Sequence, residues 1–334
     1  MPALGNFVTS VTREKFLPAV VDNVFDGIPL FMRLIGKARP WSGGYRLNLP
    51  TEVTARTAGG SFSGFDTLST NQENVRANFT VDPSEYYWTV ALSGIQKALN
   101  KGPEAVVDLL AAEFEGASRA LRNSLAEDLF GDGTGNSSKA LNGLVYQVDD
   151  ATNVTTFQGL SRNTYTNLRA TLTAQSGALS FTNLATDYDA SQVGSDSPTL
   201  GVTTPAVWSI IERLTTPTQN MEIGKAYPRL APAGAEAPGI ALNYGATFIT
   251  YRGVPIISDD QCTAANLFLL NENHLFLYLI DQDPLFAESS KEGFSWTGWK
   301  KSSNQNAIVS QLLFAGQLVG DSPRTMSRRT GITS

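Results

Sequence analysis

In two stretches of the first hundred residues, apolar and polar positions alternate one for one. Tyr45, Leu47 and Leu49 alternate with Arg46 and Asn48, and Val75, Ala77, Phe79 and Val81 alternate with Arg76, Asn78 and Thr80. A two-residue period puts the apolar side chains of a strand on one face, so each stretch predicts a half-buried strand. A segment rich in Gly, Ser, Thr and Asn joins them, and the pair predicts a hairpin arm over 41–92. A lone two-stranded ribbon is marginal in water. The arm must rest on something else, and no helix flanks it closely in sequence. A second copy of the chain is the economical support.

The period then changes. Val106, Leu110, Phe114, Ala117, Leu121, Leu125 and Leu129 recur at three- and four-residue steps, a single apolar stripe along a helix. Pro103 suits the first turn, Glu104 and Asp108 suit its positive end, and Gly131 and Gly133 supply the stop. At ~1.5 Å per residue, a helix over 103–130 is about 42 Å long, more than most globular helices. Upstream, Pro18, Pro29 and Pro40 limit residues 1–40 to an arm with short helical pieces, with Val20, Val21, Val24 and Phe25 on one face.

Downstream the pattern is mixed. Helices are predicted over 164–173 and, from an N-cap at Thr204 with Pro205 in first position, to Leu214. Strands are predicted over 247–251 and 254–257, joined by Arg252-Gly253, with Pro255 placing the second at an edge or at a strand start. Residues 267–270 and 275–280 flank Asn271-Glu272-Asn273-His274 and predict a hairpin. Residues 307–319 are nearly all apolar, a strand covered on both faces, while 174–197 and 224–239 read as loop-rich insertions.

Length and charge narrow the class. A chain of 334 residues has room for roughly two domains. Only 17% of its residues are charged, against the ~25% usual in soluble proteins, so partners or uncharged polar groups must cover much of the surface. A net charge of -6 argues against wrapping of DNA by the whole molecule. The basic cluster in the tail, Arg324, Arg328 and Arg329, reads first as a solvated or ion-paired end. A single cysteine, Cys262, excludes an intrachain disulfide and suits cytosolic folding. Residues 1–16 lack the basic-then-apolar order of a signal, and no segment approaches the ~18 apolar residues of a membrane span.

The candidate chemistry reduces to ordinary structure. His274 is the single histidine, so any triad would need it, but a predicted turn is where polar residues gather for backbone reasons. The run Gly59-Gly60-Ser61-Phe62-Ser63 departs from a nucleophile elbow at its fifth position. Residues 131–139 follow a helix instead of opening one and lack Gly-Lys-Ser/Thr, which rules out a phosphate loop. As a calcium loop, Asp132, Thr134 and Asn136 are well spaced, but Gly143 takes the place of the closing Glu. The acid pairs Asp149-Asp150, Asp259-Asp260 and Asp281/Asp283 read as solvated or loop-capping. No catalytic, cofactor or metal site emerges, and the reading is a structural protein. Phe62 and Phe65, in a tip that cannot build its own core, suit insertion into a neighbouring subunit, whereas Tyr86, Tyr87 and Trp88 suit local packing at the base.

The order of these pieces resembles a tailed-bacteriophage major capsid protein. The resemblance rests on the arm, the loop over 41–92, the long helix ending in Leu129-Phe130-Gly131-Asp132-Gly133-Thr134-Gly135, and Thr203-Thr204-Pro205-Ala206-Val207-Trp208. It continues in Tyr251-Arg252-Gly253-Val254-Pro255-Ile256-Ile257, Asn266-Leu267-Phe268-Leu269-Leu270 and the C-terminal apolar strand. It implies an α+β chain of the Hong Kong 97-type capsid fold. The parts would be an N-terminal arm (1–40), an extended β-hairpin loop (41–92), a peripheral domain (93–150) with the spine helix 103–130, an axial domain (151–284), and C-terminal strands (285–334) returning to the peripheral domain.

It also implies self-assembly into hexamers and pentamers of an icosahedral shell. That shell would be assembled in the bacterial cytoplasm and held in the virion, with a portal protein, possible scaffold and decoration proteins, and weak non-specific contact with packaged double-stranded DNA. The candidate inter-subunit contacts are Arg46, Arg56, Phe62, Phe65, Asp66, Arg76, Arg324, Arg328 and Arg329. There are two departures from the family. Residues 41–92 contain no lysine for the covalent cross-link that some members make, and the chain starts at the arm without a scaffolding extension, which implies a separate scaffold or none. An encapsulin-like shell around protein cargo is the alternative within the fold. A carbohydrate-binding or hydrolytic protein is the alternative outside it.

Overall fold

A computed structural model describes residues 29–99, 109–215, 248–281, 289–291 and 293–333. The expected apolar face at Val20–Phe25, the helix start at 103–108, the insertion at 224–239 and Asp283 lie outside these residues.

Two mixed sheets share one core. The first is organised by a long strand, β16 (Ala307–Gly320). Strand β4 (Ser84–Ser93) runs antiparallel beside its residues 307–316. Along the opposite edge of β16, β15 (Lys300–Lys301), β14 (Phe294–Trp296) and β12 (Leu275–Leu279) pair antiparallel in succession. The short strands β1 (Arg39–Pro40) and β13 (Ser289–Lys291) add to β12 and β14. From Phe314 to Gly320 every residue of β16 is buried, as a run covered on both faces requires. The second sheet has the order β7 (Thr171–Ala178), β17 (Ser327–Thr333), β11 (Leu267–Leu270), β8 (Leu200–Thr203), β10 (Val254–Ser258), β9 (Phe248–Tyr251).

The helices cover these sheets. The long helix, α3 (Leu109–Leu129), follows α1 (Pro29–Ile35) and α2 (Gly94–Leu99) in the chain. It buries Leu121, Leu125 and Leu129 with Leu30, Phe31 and Leu34 of α1 against Phe314 and Leu318 of one sheet and Phe268 and Leu270 of the other. Helices α4 (Phe181–Ser191) and α5 (Pro205–Thr215) pack Leu184, Val207 and Ile211 on Ile256, Leu267 and Ile332 of the second sheet. Thr204 caps α5, accepting the Val207 N–H at 3.4 Å.

Three expectations are corrected. Residues 164–173 form a short turn, Thr166–Leu168, and the start of β7, because Thr171–Ala178 pairs in parallel with β17. The supposed loop 174–197 contains the rest of β7 and α4, whose cap is Ser180 accepting from Asn183 N–H at 3.2 Å. Finally, β11 and β12 do not pair with each other: β11 lies between β8 and β17, and β12 beside β16. Asn271–His274 is thus a corner between sheets. Arg252-Gly253 is a true hairpin turn, with φ of +49° and +83°. Pro255 precedes the first residue of β10 that pairs with β8, Ile256, so its missing N–H falls at a strand start.

Candidate assembly interface

The extended arm is two structures with different support. Its strands, β2 (Leu47–Glu52) and β3 (Arg76–Val81), pair antiparallel with Leu47 opposite Val81 and Leu49 opposite Phe79. Their apolar face rests on the chain itself, contrary to the expectation that it lacks an intrachain partner. Leu47 and Val81 pack with Tyr278 and Val319. Phe79 and Val53 pack with Phe157 and Leu168. The Thr80 N–H donates to the Gln158 carbonyl at 2.8 Å, which fastens the ribbon to the body. The resting place was invisible in sequence because Phe157 and Leu168 are contributed by a segment about a hundred residues downstream.

Beyond Val53 and Val75 the arm leaves the body. Residues 54–74 are exposed but for Glu73, which is half-buried. Phe62 is 65% exposed, Leu68 57%, and Phe65 has no cover at all. The tip is nevertheless shaped locally. Asp66 accepts the Ser63 N–H at 2.6 Å, and Glu73 accepts from the Thr57 hydroxyl and from the Thr57 and Ala58 N–H groups. The Thr57 hydroxyl is the main reason the Glu73 carboxyl sits below its usual range, with Arg56 contributing less. These turns hold Phe62 and Phe65 outward on a preset frame, which would lower the entropy lost in any contact they make.

The expected contact residues divide in the same way. Arg46 pairs with Asp82 at 2.6 Å, and Arg56 and Arg76 share Glu52 at 3.6 and 3.5 Å, all on exposed side chains that a neighbour could reach. Arg324 is exposed. Arg328 and Arg329 are not at the surface, being 8% and 4% exposed. Both carboxylate oxygens of Asp187 accept from Arg329, at 2.5 and 2.7 Å, and Arg328 lies over the Phe268 ring. Their β17 pairs on both sides, which buries them. Tyr45 was expected on the inner face of a strand but is 86% exposed, because β2 begins only at Leu47, after Gly43 and Gly44 turn at positive φ. At the base, Tyr86 packs as expected, donating to Asp128 at 2.7 Å and accepting the Leu141 N–H at 2.8 Å. Tyr87 is 68% exposed and extends the outward aromatic surface.

The other candidate chemistry resolves into structure. In the glycine-rich turn after α3, Asp132 accepts from the Thr134 N–H and hydroxyl. A Cβ at Gly143 would come within 2.3 Å of the Asp128 carbonyl oxygen, so no glutamate can close a calcium loop there. Asp149 accepts the Ala151 and Asn153 N–H groups. Among the described residues no group of three or more His, Cys, Asp or Glu side chains is placed to hold a metal, and no described helix is long and apolar enough to cross a membrane.

No protein-family model and no curated protein sequence matches the chain. Solved structures do. A chain of the cyanophage A-1(L) capsid asymmetric unit superposes with a TM-score of 0.73 at 17% identity, over 98% of both chains. The capsid of Myoviridae phage XM1 gives a TM-score of 0.56 at 12% identity, over 91% of this chain and 92% of that one. The holo-SrpI encapsulin complex of Synechococcus elongatus gives 0.58 at 11%, over 96% and 90%. The chain therefore has the fold that these capsid and encapsulin chains share.

Proposed function

We propose that this chain is a major capsid protein of a tailed phage, the repeating subunit of an icosahedral shell around double-stranded DNA. The observation that carries the reading is the end-to-end superposition on the cyanophage capsid chain, which leaves almost no part of either chain unmatched. The arm supports it: a tip with Phe62, Phe65 and Leu68 turned outward is unfavourable in an isolated protomer and explained by a neighbouring copy.

In Hong Kong 97-type terms, the sheet around β16 with α3 is the peripheral domain and residues 54–74 are the working end of the extended loop. The second sheet with α4 and α5 is the axial domain. On this division β12 would go with the peripheral sheet and β17 with the axial one, the chain crossing between the two after β11 and again after β16. Hexamers and pentamers of the chain would meet a portal protein at one vertex, with scaffold or decoration proteins as further partners. The shell would assemble in the bacterial cytoplasm and remain in the virion. DNA contact is weak and non-specific, in keeping with the acidic net charge of -6. The subunit's role is structural, with no reaction to catalyse.

The encapsulin match supports a second reading, a shell around protein cargo. Negative-stain imaging of the expressed chain, with the ratio of nucleic-acid to protein absorbance of particles from phage-infected cells, separates the two. Phage-sized particles rich in nucleic acid support the capsid. Particles of uniform size with co-purifying protein and no nucleic acid would replace it with the encapsulin reading.

A further inference from the structure

His274 stands at the corner where the chain passes from the second sheet to the first, between β11 and β12. Its ring is flanked on both sides by carboxylates: Nδ1 is 2.7 Å from Asp321 Oδ1 and Nε2 is 3.3 Å from Asp196 Oδ2. Ionised carboxylates only accept hydrogen bonds, and a neutral imidazole has one N–H to donate. Either neutral tautomer therefore turns a lone pair toward a carboxylate oxygen. The imidazolium donates to both.

The two acids come from separate parts of the fold. Asp321 directly follows β16. Asp196 closes a tight turn in which Val193 and Asp196 exchange N–H···O bonds of 2.9 and 3.0 Å around Gly194, at φ +63°. Glu272, also at the corner, is clamped by Arg33 of α1 and by Lys37 just beyond the end of that helix. Among the described residues neither Asp196 nor Asp321 forms an ion pair with a lysine or arginine, and the His274 ring is the group these two carboxylates share.

We propose that His274 is a proton-operated clasp. Protonated, it ties the 193–196 turn to the end of β16 across the sheet corner. On losing its proton it keeps the shorter contact to Asp321 and releases Asp196, and with it the turn.

Hydrogen exchange read by mass spectrometry on the full-length chain, corrected for intrinsic rates between pH 5 and 8, tests this. In the wild type, protection of residues 192–199 should fall about five-fold as the imidazole loses its proton, the size expected of one partly exposed charge-assisted hydrogen bond. In His274→Gln the protection should be independent of pH. Asp196→Asn, at an exposed side chain, should flatten the profile too, and it decides the matter if the glutamine variant fails to fold. A wild-type profile without pH dependence, or a dependence that survives either substitution, would overturn the clasp.

Discussion

Two buried polar residues that sequence patterning passes over, Arg162 and Asp259, bear directly on the stability of this protomer. Arg162 is completely buried, and its guanidinium donates to the carbonyls of Val154, Leu168, Tyr146 and Gln147 while lying near the rings of Phe157 and Tyr146. It replaces a ladder for a stretch of chain with little regular structure. Arg162→Met should lower unfolding stability by about 3–5 kcal/mol, because it orphans several buried carbonyls at once; a change under 1 kcal/mol in a urea titration would contradict this. Asp259 acts in the opposite sense. Burial pushes its carboxyl up to about 6 from an ordinary 3.8, partly offset by the Gln261 N–H. Between about pH 4 and 6 the unfolded chain loses this proton while the folded one keeps it, so stability falls as pH rises through that window. The shift corresponds to about 3 kcal/mol at the 1.36 kcal/mol per unit of linkage. Asp259→Asn should flatten that slope and raise stability at pH 7, measured by urea titrations at several pH values. An unchanged slope would show that other groups carry it. Neither residue was legible in sequence: Arg162 lies in no periodic segment, and Asp259 next to Asp260 looks like a solvated pair.

At the scale of elements, legibility followed periodicity. The Thr204-capped α5, the described part of the α3 stripe from Ala117 to Leu129 and the strand β16 each declare their type locally, although β16 is buried throughout only from Phe314 to Gly320 and its first half is largely half-buried. The failures are of pairing. Residues 171–178 carry Thr and Ala that suit strand or helix, and only β17, about 150 residues later, decides the matter. Likewise, nothing local distinguishes a hairpin turn from the corner at Asn271–His274. The arm shows the same limit with greater consequence, since its strands belong to the core and its tip does not. Phe79, 1% exposed and edge-on to Phe157 at 5.5 Å, should cost about 3–5 kcal/mol on change to alanine. Replacing residues 54–74 by a short Gly/Ser turn, with Val53 and Val75 kept, should leave the cooperative thermal melt intact and stop assembly at small oligomers. Loss of the melt would mean that the tip stabilises its own protomer. Normal shells from this variant would remove the tip from the interface.

For the whole molecule, low charge, an outward aromatic tip and a fold shared with capsid chains all fit the proposed shell role, in which the subunit would be complete only among its copies. The apolar gain per contact is modest, about 1.5–3 kcal/mol for each large side chain buried. In the proposed shell, repetition over every equivalent contact would make it decisive. Because residues 41–92 contain no lysine, shells should be held there without isopeptide bonds. Boiled particles should run at the 35.9 kDa of the single chain, and a ladder of reductant-resistant multimers would contradict this. Self-assembly itself is tested most directly by light scattering of the full-length chain behind a sizing column, over a hundredfold range of concentration. The account predicts closed shells or capsomers far above the monomer mass. A cooperatively folded monomer at every concentration would contradict it.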